Sequence, residues 1–253
     1  MSTTFPSGAL TEDRFLGGRL SVLQPRAGYR AATDPVFLAA AVPARAGQAV
    51  LDLGCGAGVA SLCLAARVGG LARLAGVEIQ PAYAALAREN AARNGVSIEV
   101  FDGDVTRMPP ELRTAQFDHV MANPPYFAHD TPPAGDGGRD TALRESAPVG
   151  AWVDAGLRRL RPGGHFTLIH RAERLPAILA ALDGRAASAV LPLIARAGRD
   201  AGRIIVLARK GARAPFRLCA PLIVHAGAAH TGDHEDFTTA AQAVLRDGAA
   251  LAV

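Results

Sequence analysis

The chain has 253 residues, 49% of them apolar and only 5% aromatic, enough for one sizeable α/β domain whose core is packed mainly by alanine, valine and leucine. Net charge is +4, and Lys210 is the only lysine among 27 basic residues, so the basic surface consists of forked guanidinium donors suited to phosphate. The three cysteines have neither paired nor metal-ligand spacing, residues 1–10 have no secretory pattern, and no apolar run approaches the roughly 18–20 residues of a spanning helix. A disulfide scaffold and a membrane protein are thereby excluded, and a reducing, cytoplasmic location is expected.

In chain order, residues 14–30 alternate polar and apolar side chains and read as a hairpin or extended arm. Thr33 stands as the N-cap of a short helix, with Asp34 and Pro35 in its first turn. From residue 48 the pattern alternates. Strands are expected over 49–53, 73–78, 97–101, 117–122, 165–170, 189–195 and 203–209, and helices over 59–67, 81–94, 150–160 and 172–182. Asn94-Gly95 and Pro162-Gly163-Gly164 read as turns. This succession implies a mostly parallel sheet with helices on both faces and ligands at the carboxyl ends of its strands. The division expected is an N-terminal arm and helix over 1–45, packing on a cofactor site in the domain over 46–253. Residues 127–148, rich in Pro, Gly and Asp, fit neither helix nor strand and read as a substrate-gating loop.

The first chemistry lies in 50–58, VLDLGCGAG. A buried strand runs into Gly54, Gly56 and Gly58, where the missing Cβ lets a ligand approach the backbone. The spacing is G-x-G-x-G rather than the dinucleotide G-x-G-x-x-G. Asp52 just ahead of it would repel a pyrophosphate but attract an ammonium group, which points to S-adenosylmethionine. Glu78, at the tip of the second strand, is placed to accept from a ribose diol. At the third tip Asp104 is placed to accept from an adenine amine, with Val105 packing on the ring.

The fourth strand ends in Asn123-Pro124-Pro125-Tyr126. An exocyclic amine is a poor nucleophile because its lone pair is delocalised. Two acceptors on its N–H bonds, the Asn123 side-chain oxygen and the Pro124 carbonyl, would pull the nitrogen toward tetrahedral geometry and aim the lone pair at a methyl group. Proline fixes φ and so sets the carbonyl direction in advance. Tyr126 offers a face on which a planar base or amide can stack.

These motifs resemble class I S-adenosylmethionine-dependent methyltransferases, in the amino-methylating group that carries N-P-P-Y. Residues 28–34 (GYRAATD), Arg144-Glu145 and 160–164 (LRPGG) resemble one branch, the tRNA adenine-N6 methyltransferases. The resemblance spans about residues 13–225. It implies a Rossmann-like fold with a seven-stranded, mostly parallel sheet whose last strand is antiparallel. It also implies that Arg30 and Thr33 lie against the methionine end of the cofactor, with Asp52, the glycines, Glu78 and Asp104 along the rest. The catalytic set would be Asn123, Pro124, Pro125 and Tyr126, with Tyr126 and Arg144 on the substrate. Ala31 stands where the family has an aromatic residue, which thins that wall of the pocket.

The substrate expected is RNA, most of all tRNA. Residues 196–217 hold seven basic side chains against Asp200 alone, and Arg139, Arg144, Arg158, Arg159 and Arg161 flank the long loop. One rival is a glutamine N5-methyltransferase acting on a translation factor. Such proteins share N-P-P-Y but place a helical domain ahead of the glycine strand, where fewer than fifty residues stand here. The other rival is a non-catalytic RNA-binding module on the same scaffold. No metal is expected, because His225, His230 and His234 fit no standard site.

Overall fold

The computed structural model describes residues 4–6, 8–126, 147–229 and 236–253. The chain opens with a hairpin of β1 (Leu10–Phe15) and β2 (Leu20–Pro25), four residues earlier than its alternation suggests, and α1 (Asp34–Ala41) follows. The sheet is then built from β3 (Ala49–Leu53), β4 (Arg73–Glu78), β5 (Glu99–Asp102), β6 (Phe117–Ala122), β7 (Leu160–Arg171), β8 (Ala186–Ile194) and β9 (Ala201–Lys210). Between them run α2 (Val59–Val68), α3 (Pro81–Arg93), α4 (Pro110–Arg113), α5 (Val149–Arg159) and α6 (Leu175–Leu182).

Strand order is β8-β9-β7-β6-β3-β4-β5, parallel throughout except for β9, which runs antiparallel to both its neighbours. This is the mostly parallel α/β sheet that the alternating pattern implies. Two short strands, β10 (Arg217–Leu218) and β11 (Leu222–Ile223), extend it beyond β8, so the sheet has nine strands rather than seven. Each is two residues long, too short for any periodicity to mark it. The chain closes with α7 (Thr239–Leu245), capped by the Thr238 hydroxyl, which accepts from Ala241 N at 3.2 Å. No helix among the described residues is long and apolar enough to cross a membrane.

Central β3 is buried along its whole length, as an apolar run between two parallel neighbours requires. One core, around Phe37, Leu38 and Leu62, gathers α1, α2 and α7 on one face; the other, around Trp152, Val153 and Ile178, gathers α5 and α6. Order reverses at β3, so β4 and β6 diverge from its tip and open a crevice there.

Two turns differ from expectation. Pro162-Gly163-Gly164 lies inside β7 as a bulge: Leu160 pairs with Phe117 and His165 with His119, while the residues between loop out. Gly163 takes φ +77°, and a Cβ on Gly164 would lie 2.8 Å from the Asp118 carbonyl oxygen. The helix expected from residue 172 starts instead as a 3-10 turn, and α6 follows from Leu175 with Pro176 in its first turn.

The hairpin is tied to α3 by side-chain amides. Asn90 Oδ1 accepts from Leu23 N at 2.8 Å, and its Nδ2 donates to Leu23 O and Ala57 O, both at 3.0 Å. One turn on, Asn94 Oδ1 accepts from Ser21 N at 3.0 Å and Nδ2 donates to Ser21 O at 2.8 Å. The i, i+4 helical spacing thus matches the i, i+2 repeat of a strand edge.

Gly156 lets α5 sit directly on β7, since a Cβ there would lie 2.6 Å from the fully buried ring of Phe166. Gly156→Ala is expected to lower stability by about 1–3 kcal/mol despite alanine's better helix propensity. Chemical denaturation of Gly156→Ala, Phe166→Leu and the double variant checks this, the double losing less than the sum of the singles.

Candidate active site

A cleft opens at the crevice between the tips of β3, β4 and β6. Along one wall runs the glycine turn. Gly54, Gly56 and Gly58 all have left-handed φ (+68°, +54° and +85°). At Gly54 the close approach is to Trp152, whose Cη2 would lie 2.8 Å from an added Cβ. The turn is held to β4 by Gly54 N and Cys55 N, which donate to Val77 O at 2.8 and 3.0 Å.

Two carboxylates sit beneath this turn. Asp52 is 2% exposed, and Oδ2 accepts from the Ser61 hydroxyl at 2.8 Å. Burial pushes its pKa up to about 7, against the Ser61 hydrogen bond that favours the anion. Glu78 is also buried, with Oε2 accepting from Gly56 N and Oε1 from Gln80 N, both at 2.9 Å. Burial raises its pKa as well, opposed by those amides. Glu78 lines the cleft together with Asp52.

At the next tip Asp102 turns outward to Arg88 at 2.5 Å, whereas Asp104 and Val105 line the cleft. Asp104 Oδ1 accepts from Thr106 N and Oγ1, both at 2.8 Å, which shapes the turn. Asn123, Pro124, Pro125 and Tyr126, emerging from β6, form the opposite wall. The two motifs, some seventy residues apart in sequence, therefore face one space.

Around Asn123 lies a chain of polar contacts. Its Nδ2 donates to the Tyr29 hydroxyl at 3.3 Å, and the Tyr126 hydroxyl stands 2.8 Å from its Oδ1 and 2.5 Å from Asp34 Oδ2. Arg203 Nε donates to Asp34 Oδ2 at 3.0 Å, and the Arg203 guanidinium lies over the Tyr126 ring, 4.5 Å from its centroid. One face of Tyr126 is thus already covered by a cation, so a base stacks only against what remains.

Several candidate residues lie elsewhere. Arg30 is outside the cleft lining: it donates to Asp13 Oδ2 at 2.6 Å and Pro25 O at 2.8 Å and so clamps the hairpin. Thr33 occupies the N-cap position of α1 but makes no side-chain capping bond, and it too lies outside the lining. Gly58, outside the lining, stands at the start of α2, where its φ of +85° favours glycine and an added Cβ would make only ordinary contact with Ala87 at 3.4 Å. Arg144, Glu145 and most of the long loop fall outside the described residues, as do Arg139, His230 and His234. Among the described residues no group of His, Cys, Asp and Glu has the geometry to hold a metal ion, and His225 instead contacts Asp236 at 2.6 Å.

The basic run at 196–217 is not a cluster in space. Because β9 runs antiparallel to β7, Arg203 pairs in register with Arg171 at the ligand end, whereas Arg209 pairs with His165 about 20 Å away. Arg196 is held by Asp236, and Lys210 donates to Leu160 O at 2.7 Å. Other site residues escaped sequence reasoning. Ile79, 50% exposed at the tip of β4, lines the cleft, and its signal was an apolar residue directly after the strand-end acid. Trp152 lines it too, its indole N–H buried with no partner among the described residues. Tyr29 and Tyr83 complete the wall beside Ala31, and the Tyr83 hydroxyl donates to Tyr29 O at 2.9 Å.

Comparison with known proteins agrees with this architecture. Residues 32–181 match the pattern of the family described as Methyltransferase small domain. A relative from Dickeya chrysanthemi, named tRNA1(Val) (adenine(37)-N6)-methyltransferase, is 27% identical over 94% of this chain and 95% of its own length. A protein of the same name from Aeromonas hydrophila is 30% identical over 74% of this chain and 79% of its own length. Among solved structures, a predicted O-methyltransferase from Agrobacterium tumefaciens superposes with a TM-score of 0.68 at 29% identity, covering 87% of this chain and 99% of that one. With its glycine turn, its acidic strand tips and more than half its length matched, this chain belongs to the methyltransferase small domain family.

Proposed function

We propose that this protein transfers a methyl group from S-adenosylmethionine to the exocyclic N6 amine of an adenine in tRNA. The observation that carries the reading is the convergence of Asn123-Pro124-Pro125-Tyr126 with Asp52 and Glu78 on one cleft. The residues present fit the cofactor. The buried Asp52 carboxylate suits its ammonium group, Glu78 suits its ribose diol, and Asp104, Val105 and Ile79 suit its adenine. When bound, S-adenosylmethionine supplies a methyl group already activated by a sulfonium, so the protein's task is alignment.

Alignment falls to the end of β6. Asn123 Oδ1 and the Pro124 carbonyl accept the two N–H bonds of the target amine and turn its lone pair toward the methyl group. As the nitrogen bonds the methyl carbon, that carbon's bond to sulfur would break with its electron pair left on sulfur as a neutral thioether, and the nitrogen would pass its surplus proton to water. Two neutral acceptors match a group with two hydrogens; a hydroxyl has only one, which favours N- over O-methylation. Adenine in tRNA is supported by the names of the Dickeya and Aeromonas relatives. Incubating the protein with cofactor, unmodified tRNA and a translation factor, followed by mass spectrometry, tests the assignment. N6-methyladenosine is the expected product; methylglutamine, or RNA binding with no methylation, would overturn it.

Asn123→Ala is expected to lower kcat by about 10²–10³-fold, as loss of a transition-state hydrogen-bond partner does. Cofactor affinity measured by calorimetry should change less than about threefold.

Asp52 adds a pH signature. Its folded pKa, about 7, lies above the unfolded value near 3.8, so its contribution to stability is full below about pH 4 and is lost as pH rises through about 7. Ionisation is also what pairs it with the cofactor's ammonium group. Stabilisation of melting by S-adenosylmethionine should therefore grow between pH 5.5 and 7.5, and most of that growth should vanish in Asp52→Asn. At pH 8 the ligand-free Asp52→Asn variant should melt above wild type.

A further inference from the structure

The Tyr126 hydroxyl has one proton and two acceptors in reach, Asp34 Oδ2 at 2.5 Å and Asn123 Oδ1 at 2.8 Å. It cannot satisfy both. A carboxylate is the stronger acceptor, and its hydrogen bonds from hydroxyls are the shorter ones. Asp34 is further held as the anion's side of an ion pair by Arg203 at 3.0 Å, and that guanidinium also covers the Tyr126 ring. Burial and the neighbouring Asp34 carboxylate push the Tyr126 pKa well up, so the phenol keeps its proton and directs it at Asp34. Asn123 Oδ1 consequently faces an oxygen lone pair rather than a donor. Its amide is meanwhile oriented from the other side, where Nδ2 donates to Tyr29.

We propose that Asp34 and Arg203 are positioning residues that hold the Tyr126 proton away from Asn123, leaving Asn123 Oδ1 an open acceptor for the substrate amine. The proposal rests on the N-methylation reading above. An acceptor already satisfied by a phenol would have to exchange one hydrogen bond for another when substrate arrives. An acceptor crowded by a lone pair gains a bond outright. Arg203 adds selectivity to the same arrangement: its charge fixes Asp34 as an acceptor and its plane fixes the ring, so the hydroxyl has one direction in which to point. Nothing local in the sequence links these groups, since Asp34 starts α1 and Arg203 lies on β9, 169 residues later.

The experiment is a double-mutant comparison on the full chain, read as kcat and KM for unmodified tRNA. Asp34→Asn keeps the shape of the side chain but lets the Tyr126 proton turn to Asn123; kcat should fall about tenfold or more with KM little changed. In the Tyr126→Phe background the hydroxyl is gone, and the same Asp34→Asn substitution should change kcat by less than about twofold. Arg203→Gln should behave as Asp34→Asn does, more weakly. Thermal melts and cofactor affinity of each variant establish folding. Should Asp34→Asn cost as much with the hydroxyl absent as with it present, Asp34 acts through the structure of α1 and the proposal fails. Should wild type methylate no adenine at all, the parent reading fails instead.

Discussion

Two carboxylates buried at the tips of adjacent parallel strands set the terms for this molecule. An ionised side chain away from water costs several kcal/mol unless it is hydrogen-bonded or paired. Asp52 is met by the hydroxyl and backbone amide of Ser61, and Glu78 by the backbone amides of Gly56, Ile79 and Gln80, yet burial still raises the pKa of both. The glycine turn exists in its present shape because Gly56 N must reach Glu78, and the turn is in turn pinned to β4 through Val77. Position follows from topology: only where strand order reverses do two tips diverge enough to leave space above such groups. A cationic ligand that completes the pairing is the natural resolution of this arrangement.

The far side of the cleft solves a different problem. There the groups around the reacting position are neutral, Asn123, Tyr29 and Tyr126, and the charge is set one layer back in Asp34 and Arg203. A formal charge next to a weak nitrogen nucleophile would compete for its hydrogens. Placed behind a phenol, the same charge acts on orientation alone. The cleft therefore grades from anionic at the end where a cofactor's ammonium group is expected to neutral where methyl transfer is expected.

Much of this was legible in the residues because it is local. The glycine string, the strand-end acids at Asp52 and Glu78, and Asn123 to Tyr126 each announce themselves within a few positions, and the boundaries of β3, β4 and β6 match their apolar runs. What escaped is non-local. Arg203 belongs to the site only because β9 is antiparallel, which puts its first residues rather than its last at the ligand end. The length of the same extended strand splits the basic run of 196–217 between its two ends. Trp152 reads like any core residue of an amphipathic helix until Gly54 is seen lying against it. Arg30, which the family resemblance sets against the methionine end of the cofactor, is held by hairpin partners, Asp13 and the carbonyl of Pro25, that give no local sign in the sequence.

The amides of Asn90 and Asn94 have one more consequence. A strand margin with free N–H and C=O groups is a template for any other extended chain. Along Ser21 and Leu23 that template is filled by side chains from the molecule's own helix, in the register a neighbouring strand would have used. The N-terminal arm is thereby kept solitary on this margin: a growing aggregate that arrived there would find every hydrogen-bonding direction at those two residues taken.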